Sequence, residues 1–122
     1  MMSLSPSNEH YIKAIDELDP DGNGARISDI AALLGVKKPS ASRAVKFLRQ
    51  KNLVIRRENF AVSLTPAGEA HAALIKEKYS TIKQYLVVTL GVGEEIAAAD
   101  ACAIEHIVSP EIFARMGALL KA

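Results

Sequence analysis

Between positions 37 and 57 the chain carries eight basic side chains, Lys37, Lys38, Arg43, Lys46, Arg49, Lys51, Arg56 and Arg57, with no Asp or Glu among them. The whole protein is nearly neutral, with a formal net charge of +1 over 122 residues. The run is therefore a local positive field, suited to a polyanion rather than to general solubility. The apolar residues interleaved with it show which backbone bears it. Ile30, Leu33 and Leu34 recur at helical spacing behind Ser28 and Asp29, which can cap or start a helix. Gly35 ends that helix and Val36 is expected to pack inward as the turn residue. Pro39 stands in the first turn of a second helix, where it has no donor to lose. Ala41, Ala44, Val45 and Leu48 form the buried stripe of that helix, and Ser40, Ser42, Arg43, Lys46 and Arg49 point largely the other way. Lysines alone would make an ordinary solvated face. Short hydroxyls and an arginine near a helix start are the types that reach phosphates and base edges, so the expected partner is double-stranded DNA.

The next segment predicts a two-stranded wing. Leu53 to Arg56 is a short β-prone run, Arg57 to Asn59 a polar turn, and Phe60, Val62 and Leu64 alternate with Ala61, Ser63 and Thr65. Thr65 and Pro66 then read as the cap and first residue of a further helix beginning near Ala67. Helix, turn, helix and wing make a winged helix-turn-helix. Its expected DNA contacts divide by chemistry. Ser40, Ser42 and Arg43 meet the major groove, with Arg43 reading a base and Pro39 setting the helix start. Lys37, Lys38, Lys46, Arg56 and Arg57 mostly hold phosphates, and Ser28 is a further DNA-binding candidate.

A chain of this length with 49% hydrophobic residues builds one ordinary core or two small packed halves. No apolar run approaches 18 residues and no charged-then-apolar leader opens the sequence, so a cytoplasmic protein without a membrane span is expected. The single cysteine, Cys102, excludes an internal disulfide. A first helix begins at Ser5 or Ser7 with His10 in its first turn and Tyr11, Ile12, Ile15 and Leu18 on its apolar face. The loop Asp19 to Gly24 resembles the start of an EF-hand. The twelfth position, where calcium needs a bidentate carboxylate, is Ile30, so the loop reads as a connector.

From Ala67 a long helix is expected to about Thr89, stopped by Gly91. An Ala-rich helix follows to roughly Val108, and Ser109 caps a last helix with Pro110 in its first turn. A wholly helical tail behind a winged helix is most economically a dimerisation element, since symmetric, palindromic operators call for a two-fold homodimer. Cys102, Glu105 and His106 stand at i, i+3 and i+4, which places all three on one helix face. A thiolate, a carboxylate and an imidazole can share a divalent cation. The same trio can equally be a small buried thiol beside an exposed acid and histidine.

Taken together these residues resemble the diphtheria toxin repressor family of metal-activated regulators of iron or manganese uptake. The resemblance is carried by Asn8 to Ile12, Ile27 to Ala31, Pro39 to Ser42, Leu64 to Gly68 and Cys102 to His106, and it covers nearly the whole chain. It implies a mainly α protein, with a winged helix-turn-helix DNA-binding domain over 1–70 and an all-helical dimerisation and metal-binding domain over 71–122. The chain resembles the short form without the additional C-terminal domain. The resemblance also implies a metal site, with Cys102, Glu105 and His106 on family ligand positions and His10 where other members carry Met or Asp. The family's ancillary ligands would fall at Tyr79, Lys83 and Ala98, and a further carboxylate at Lys13. None of these is a good ligand, so one divalent transition metal per subunit is expected.

Two imidazoles, a thiolate and a carboxylate are softer than the oxygen-rich sets that manganese prefers. That donor set favours Fe(II) or Zn(II), with Mn(II) allowed by family. The expectation is a metal-activated dimeric repressor of metal uptake genes. The alternative is a winged-helix regulator that is metal-independent, or that responds to redox state or a small molecule. An enzyme is not expected, because no nucleophile stands beside a base motif and no Gly-rich phosphate loop is present.

Overall fold

The computed structural model describes residues 4–122. The chain divides into two compact units, Met1–Ala73 and Leu74–Ala122. Three helices open the first unit: α1 (Pro6–Leu18), α2 (Ile27–Leu34) and α3 (Lys38–Gln50). Ser5 caps α1, its hydroxyl accepting from the Asn8 N–H at 3.2 Å. Gly35 closes α2 in the left-handed conformation, φ +67°, its N–H reaching back to the last turn. The strands β1 (Val54–Arg56) and β2 (Val62–Leu64) pair antiparallel with Ile55 opposite Ser63.

The core of this unit sits where α1, α2 and α3 meet the hairpin. Tyr11, Ile12, Ile15, Ile30, Val45, Leu48, Leu53, Val54 and Val62 are all buried. Each such side chain contributes about 1.5–3 kcal/mol relative to exposure. Helix α4 (Pro66–Gln84) follows the wing. Thr65 caps it, accepting from the Gly68 N–H and donating to the Asn52 carbonyl. Gly68 is required there, because a Cβ would fall 2.1 Å from the Leu53 carbonyl oxygen.

In the second unit the end of α4 loosens into a π-helical turn, Tyr85–Thr89, against which α5 (Glu94–Ile104) and α6 (Pro110–Lys121) pack. Ser109 caps α6 as expected, accepting from the Ile112 N–H.

Four local expectations need correction. Arg26, not Ser28, occupies the N-cap of α2, and its side chain makes no capping bond. Val36 is 38% exposed and Leu33 48% exposed, because Ile30 and Ala31 alone bury the short α2. The alternation in β2 fails: Ala61, Val62 and Ser63 are all buried while Phe60 is 72% exposed. An isolated bridge between Ala25 and Val62 covers the outer edge of the strand, and a polar chain holds Ser63 inside. Finally, α5 stops at Ile104 rather than near Val108.

Candidate DNA-binding face and metal centre

The DNA-binding set predicted from sequence lies on the surface of the first unit. Ser28, Lys37, Lys38, Pro39, Ser42, Arg43, Lys46, Arg56 and Arg57 are exposed, and Ser40 is half-buried. Burial of Ala41, Val45 and Leu48 turns the opposite side of α3 outward. Helix α3 carries no acid in its first turn, and Lys37 and Lys38 stand at its start, so cations and the positive end of the helix together face an anion. The Arg43 guanidinium donates to the Ser40 hydroxyl at 3.4 Å, a contact that restricts the arginine before any ligand arrives.

Arg57 divides its donors. Its Nε donates to Ser63 Oγ at 2.7 Å, while that hydroxyl donates to Asp19 Oδ2 at 2.8 Å. Asp19 Oδ1 accepts from the Gly24 N–H at 2.7 Å. The connector between α1 and α2 is thereby tied to the wing, and Gly24 must be glycine at the crossing, where a Cβ would meet that of Ala61 at 2.6 Å. This gives Asp19 a defined structural use, one that lay outside the EF-hand reading of the loop.

Sequence reasoning missed Phe60. Arg57, Glu58, Asn59 and Phe60 form a turn closed by the Phe60 N–H on the Arg57 carbonyl, and the Arg57 N–H bonds the Ala61 carbonyl. Phe60 then takes φ +65°, the left-handed conformation that such hairpin loops normally give to glycine. A bulky residue there costs about 1–2 kcal/mol. The readable signal was the turn itself, whose geometry places the left-handed residue one step after Asn59.

In the second unit, Glu105 is fully buried and His106 is buried, with His106 Nε2 3.1 Å from Glu105 Oε1. Cys102 is exposed, and so is His10 in the first unit. Among the described residues no three His, Cys, Asp or Glu side chains are grouped closely enough to hold a metal ion. The single helical face expected for Cys102, Glu105 and His106 is broken because α5 ends between them. The Glu105 N–H still bonds four residues back to Ala101, but that of His106 bonds three back to Ala103, a tighter turn than the helix before it.

The packing alternative is inverted as well, since the acid and the imidazole are inside and the thiol is outside. Burying a carboxylate is costly unless a cation or a metal ion accompanies it. A carboxylate beside an imidazole is a donor pair that suits a divalent transition ion. Tyr79 and Lys83, which the resemblance aligned with ancillary ligands, line a cavity of about 390 Å³ with Ser80, Gln84, Val87, Val88 and Glu94.

His71, in the first unit, is the other buried histidine. Desolvation lowers its pKa below the usual 6.5, and the nearby charge of Glu9 opposes part of that shift.

Comparison with known proteins bears on both regions. Residues 3–61 match the family model described as iron dependent repressor, N-terminal DNA binding domain. Residues 65–122 match that of the iron dependent repressor, metal binding and dimerisation domain. An HTH-type transcriptional regulator of Methanocaldococcus jannaschii is 32% identical over 114 residues, covering 93% of this chain and 91% of the relative. The transcriptional regulator MntR of Salmonella typhimurium is 36% identical over 103 residues, 84% of this chain and 65% of MntR. The crystal structure of ScaR with bound Zn2+ superposes with a TM-score of 0.81 at 29% identity, over 93% of this chain and 53% of ScaR. The chain thus spans nearly all of the first relative, but about two thirds of MntR and half of ScaR.

Proposed function

The chain belongs to the iron-dependent repressor family, and from that premise we propose that it is a divalent-metal-activated, homodimeric repressor that binds a palindromic operator upstream of metal uptake genes. The observation that carries the reading is the contrast of charges. One unit displays eight basic residues over positions 37–57 with no acid, and the other encloses a carboxylate and an imidazole. The first arrangement serves a polyanion, and the second a cation.

His10, Cys102, Glu105 and His106 would hold one divalent transition metal per subunit, through ligands far apart in sequence. Zinc in ScaR supports a borderline ion in this family, and the softness of the four donors favours Fe(II) or Zn(II) over Mn(II). His10 lies on α1, whose Ile12 and Ile15 enter the core that supports α3. A constraint on α1 is thereby a constraint on the DNA-reading unit. A preference of a few kcal/mol for the competent arrangement, at about 1.4 kcal/mol per tenfold, suffices to switch occupancy.

On DNA, Ser40, Ser42 and Arg43 read the major groove, and Lys37, Lys38, Lys46, Arg56 and Arg57 hold phosphates. Val88, Leu90, Ile96, Ile107, Ile112 and Leu119 are exposed in the second unit and are the candidates for the dimer contact.

The test is fluorescence anisotropy of a duplex from the protein's own upstream DNA, in EDTA and then with Fe(II), Mn(II) or Zn(II) under anaerobic conditions. Binding that requires metal, and a Cys102→Ala variant that loses the response, are the expected results. Equal binding by chelated and metal-loaded protein would refute metal activation. The exposed thiol of Cys102 favours one second reading, in which oxidation releases DNA. Peroxide-resistant binding would exclude it.

A further inference from the structure

The wing tip carries an exposed ring in a backbone conformation that resists it. Phe60 is 72% exposed at φ +65°, where glycine would sit without strain and also without an apolar surface in water. Two local contacts keep the turn in place: the Phe60 N–H on the Arg57 carbonyl, and the Asn59 side-chain oxygen accepting from the Ala61 N–H at 3.1 Å. Neither requires an aromatic side chain at position 60.

The ring lies on the cationic face. It borders one cleft of about 210 Å³ with Ser42, Lys46 and Arg49 of α3, and a second of about 260 Å³ with Arg26, Ser28 and Lys38. The Arg56 guanidinium stands 5.5 Å from its centroid, so the apolar surface carries a cation on one side. Strain in an exposed turn persists where the strained residue is used.

We propose that Phe60 is a DNA-contacting residue of the wing, its ring packing into the minor groove beside the major groove read by α3 while Arg56 meets the adjoining phosphate. The charge around the ring selects a polyanion, and the ring needs an apolar surface within it. In double-stranded DNA the sugar and base-edge walls of the minor groove offer that surface, and apolar side chains wedge there in other DNA-binding proteins. This contact rests on the DNA-binding reading and adds to it a position that reads groove shape and step flexibility rather than base edges.

The test compares the wild type with Phe60→Gly and Phe60→Leu. Each is titrated with the upstream duplex across a range of salt, alone and with the minor groove blocked by distamycin, and melted without DNA. Phe60→Gly is expected to melt at or above the wild-type temperature, because the strain is relieved, and to bind about tenfold more weakly. Phe60→Leu, which keeps an apolar side chain, is expected to fall between. The salt slope should stay the same in both, since no cation is lost. Distamycin should weaken the wild type more than Phe60→Gly.

Wild-type affinity in Phe60→Gly would overturn the contact and leave the repressor reading intact. A lower melting temperature together with weaker binding would assign Phe60 to the fold instead. A wild type that binds no duplex, with or without metal, would sink the DNA-binding reading and this contact with it.

Discussion

The two units of this chain hide and show opposite things. The first buries nine large apolar or aromatic side chains, from Tyr11 to Val62, and presents cations. The second, among its described residues, buries only Ile75 and Ile82 of that size, takes Glu105 and His106 inside, and leaves six large aliphatic residues exposed. The first unit also leaves Leu33, Val36, Ile55 and Phe60 exposed, but its acid-free display of cations is what suits a polyanion. The second sets its buried Glu105 beside His106 and, among its described residues, exposes more large aliphatic side chains than it buries. Exposed aliphatic residues in that number suit a second surface, and an enclosed carboxylate beside an imidazole suits a divalent ion. The difference assigns a role to each unit from physical chemistry alone, and the two family models that divide the chain carry the same two roles in their descriptions.

The largest expected effect lies at the exposed aliphatic residues of the second unit. In a two-fold dimer each substitution counts twice, so Ile96→Asp with Ile107→Asp should cost roughly 3–6 kcal/mol or more for each symmetric pair of isoleucines lost. Sedimentation should show a monomer. A variant that remains dimeric would break the comparison on the side of the second unit.

Next comes the enclosed acid. Glu105→Ala should lower metal affinity by at least about a hundredfold, since even groups that merely support ligands cost up to that much. Competition against a chromophoric chelator reads this directly, and an unchanged affinity would return Glu105 to packing.

On the cationic side the effects are smaller and separable. Arg43→Ala should cost about 1–3 kcal/mol and relax sequence preference. Lys38→Ala should weaken all duplexes alike and reduce the salt slope by about one phosphate contact. If both variants fail in the same way, Arg43 does not read a base.

The smallest effect concerns His71. Because burial holds its native pKa below the unfolded 6.5, the unfolded chain takes up the proton first. The stability that depends on neutral His71 is fully present above pH 6.5 and declines as the pH falls toward and through the lowered native value. Urea melts in EDTA should show that decline, and His71→Leu should flatten it. Equal slopes in the two proteins would contradict the assignment.

Much of this division was legible in the residues. The apolar spacing of Ala41, Val45 and Leu48 fixed which side of α3 faces out, and Ser5, Thr65 and Ser109 each cap a helix by the hydroxyl chemistry their position suggests. What escaped depends on contacts distant in sequence or on one dihedral angle. Burial of Ser63 needs Asp19, 44 residues earlier, and no alternation rule contains that bond. Phe60 looked like an inward strand residue because its unusual φ is set by the turn before it. The end of α5 at Ile104 was hidden by favourable composition, since nothing between Ala103 and Val108 opposes a helix as glycine or proline would. The donor types of Cys102, Glu105 and His106 were readable, but their division between surface and interior was not.

The most direct test of the central claim is reciprocity between the two units. Metal affinity would be measured by chelator competition on the free protein and again on the protein saturated with its upstream duplex. If metal binding in one unit sets the DNA competence of the other, DNA must tighten metal binding by the same factor by which metal tightens DNA binding. The account predicts equal factors of tenfold or more in both directions. A metal affinity that DNA leaves unchanged would contradict it.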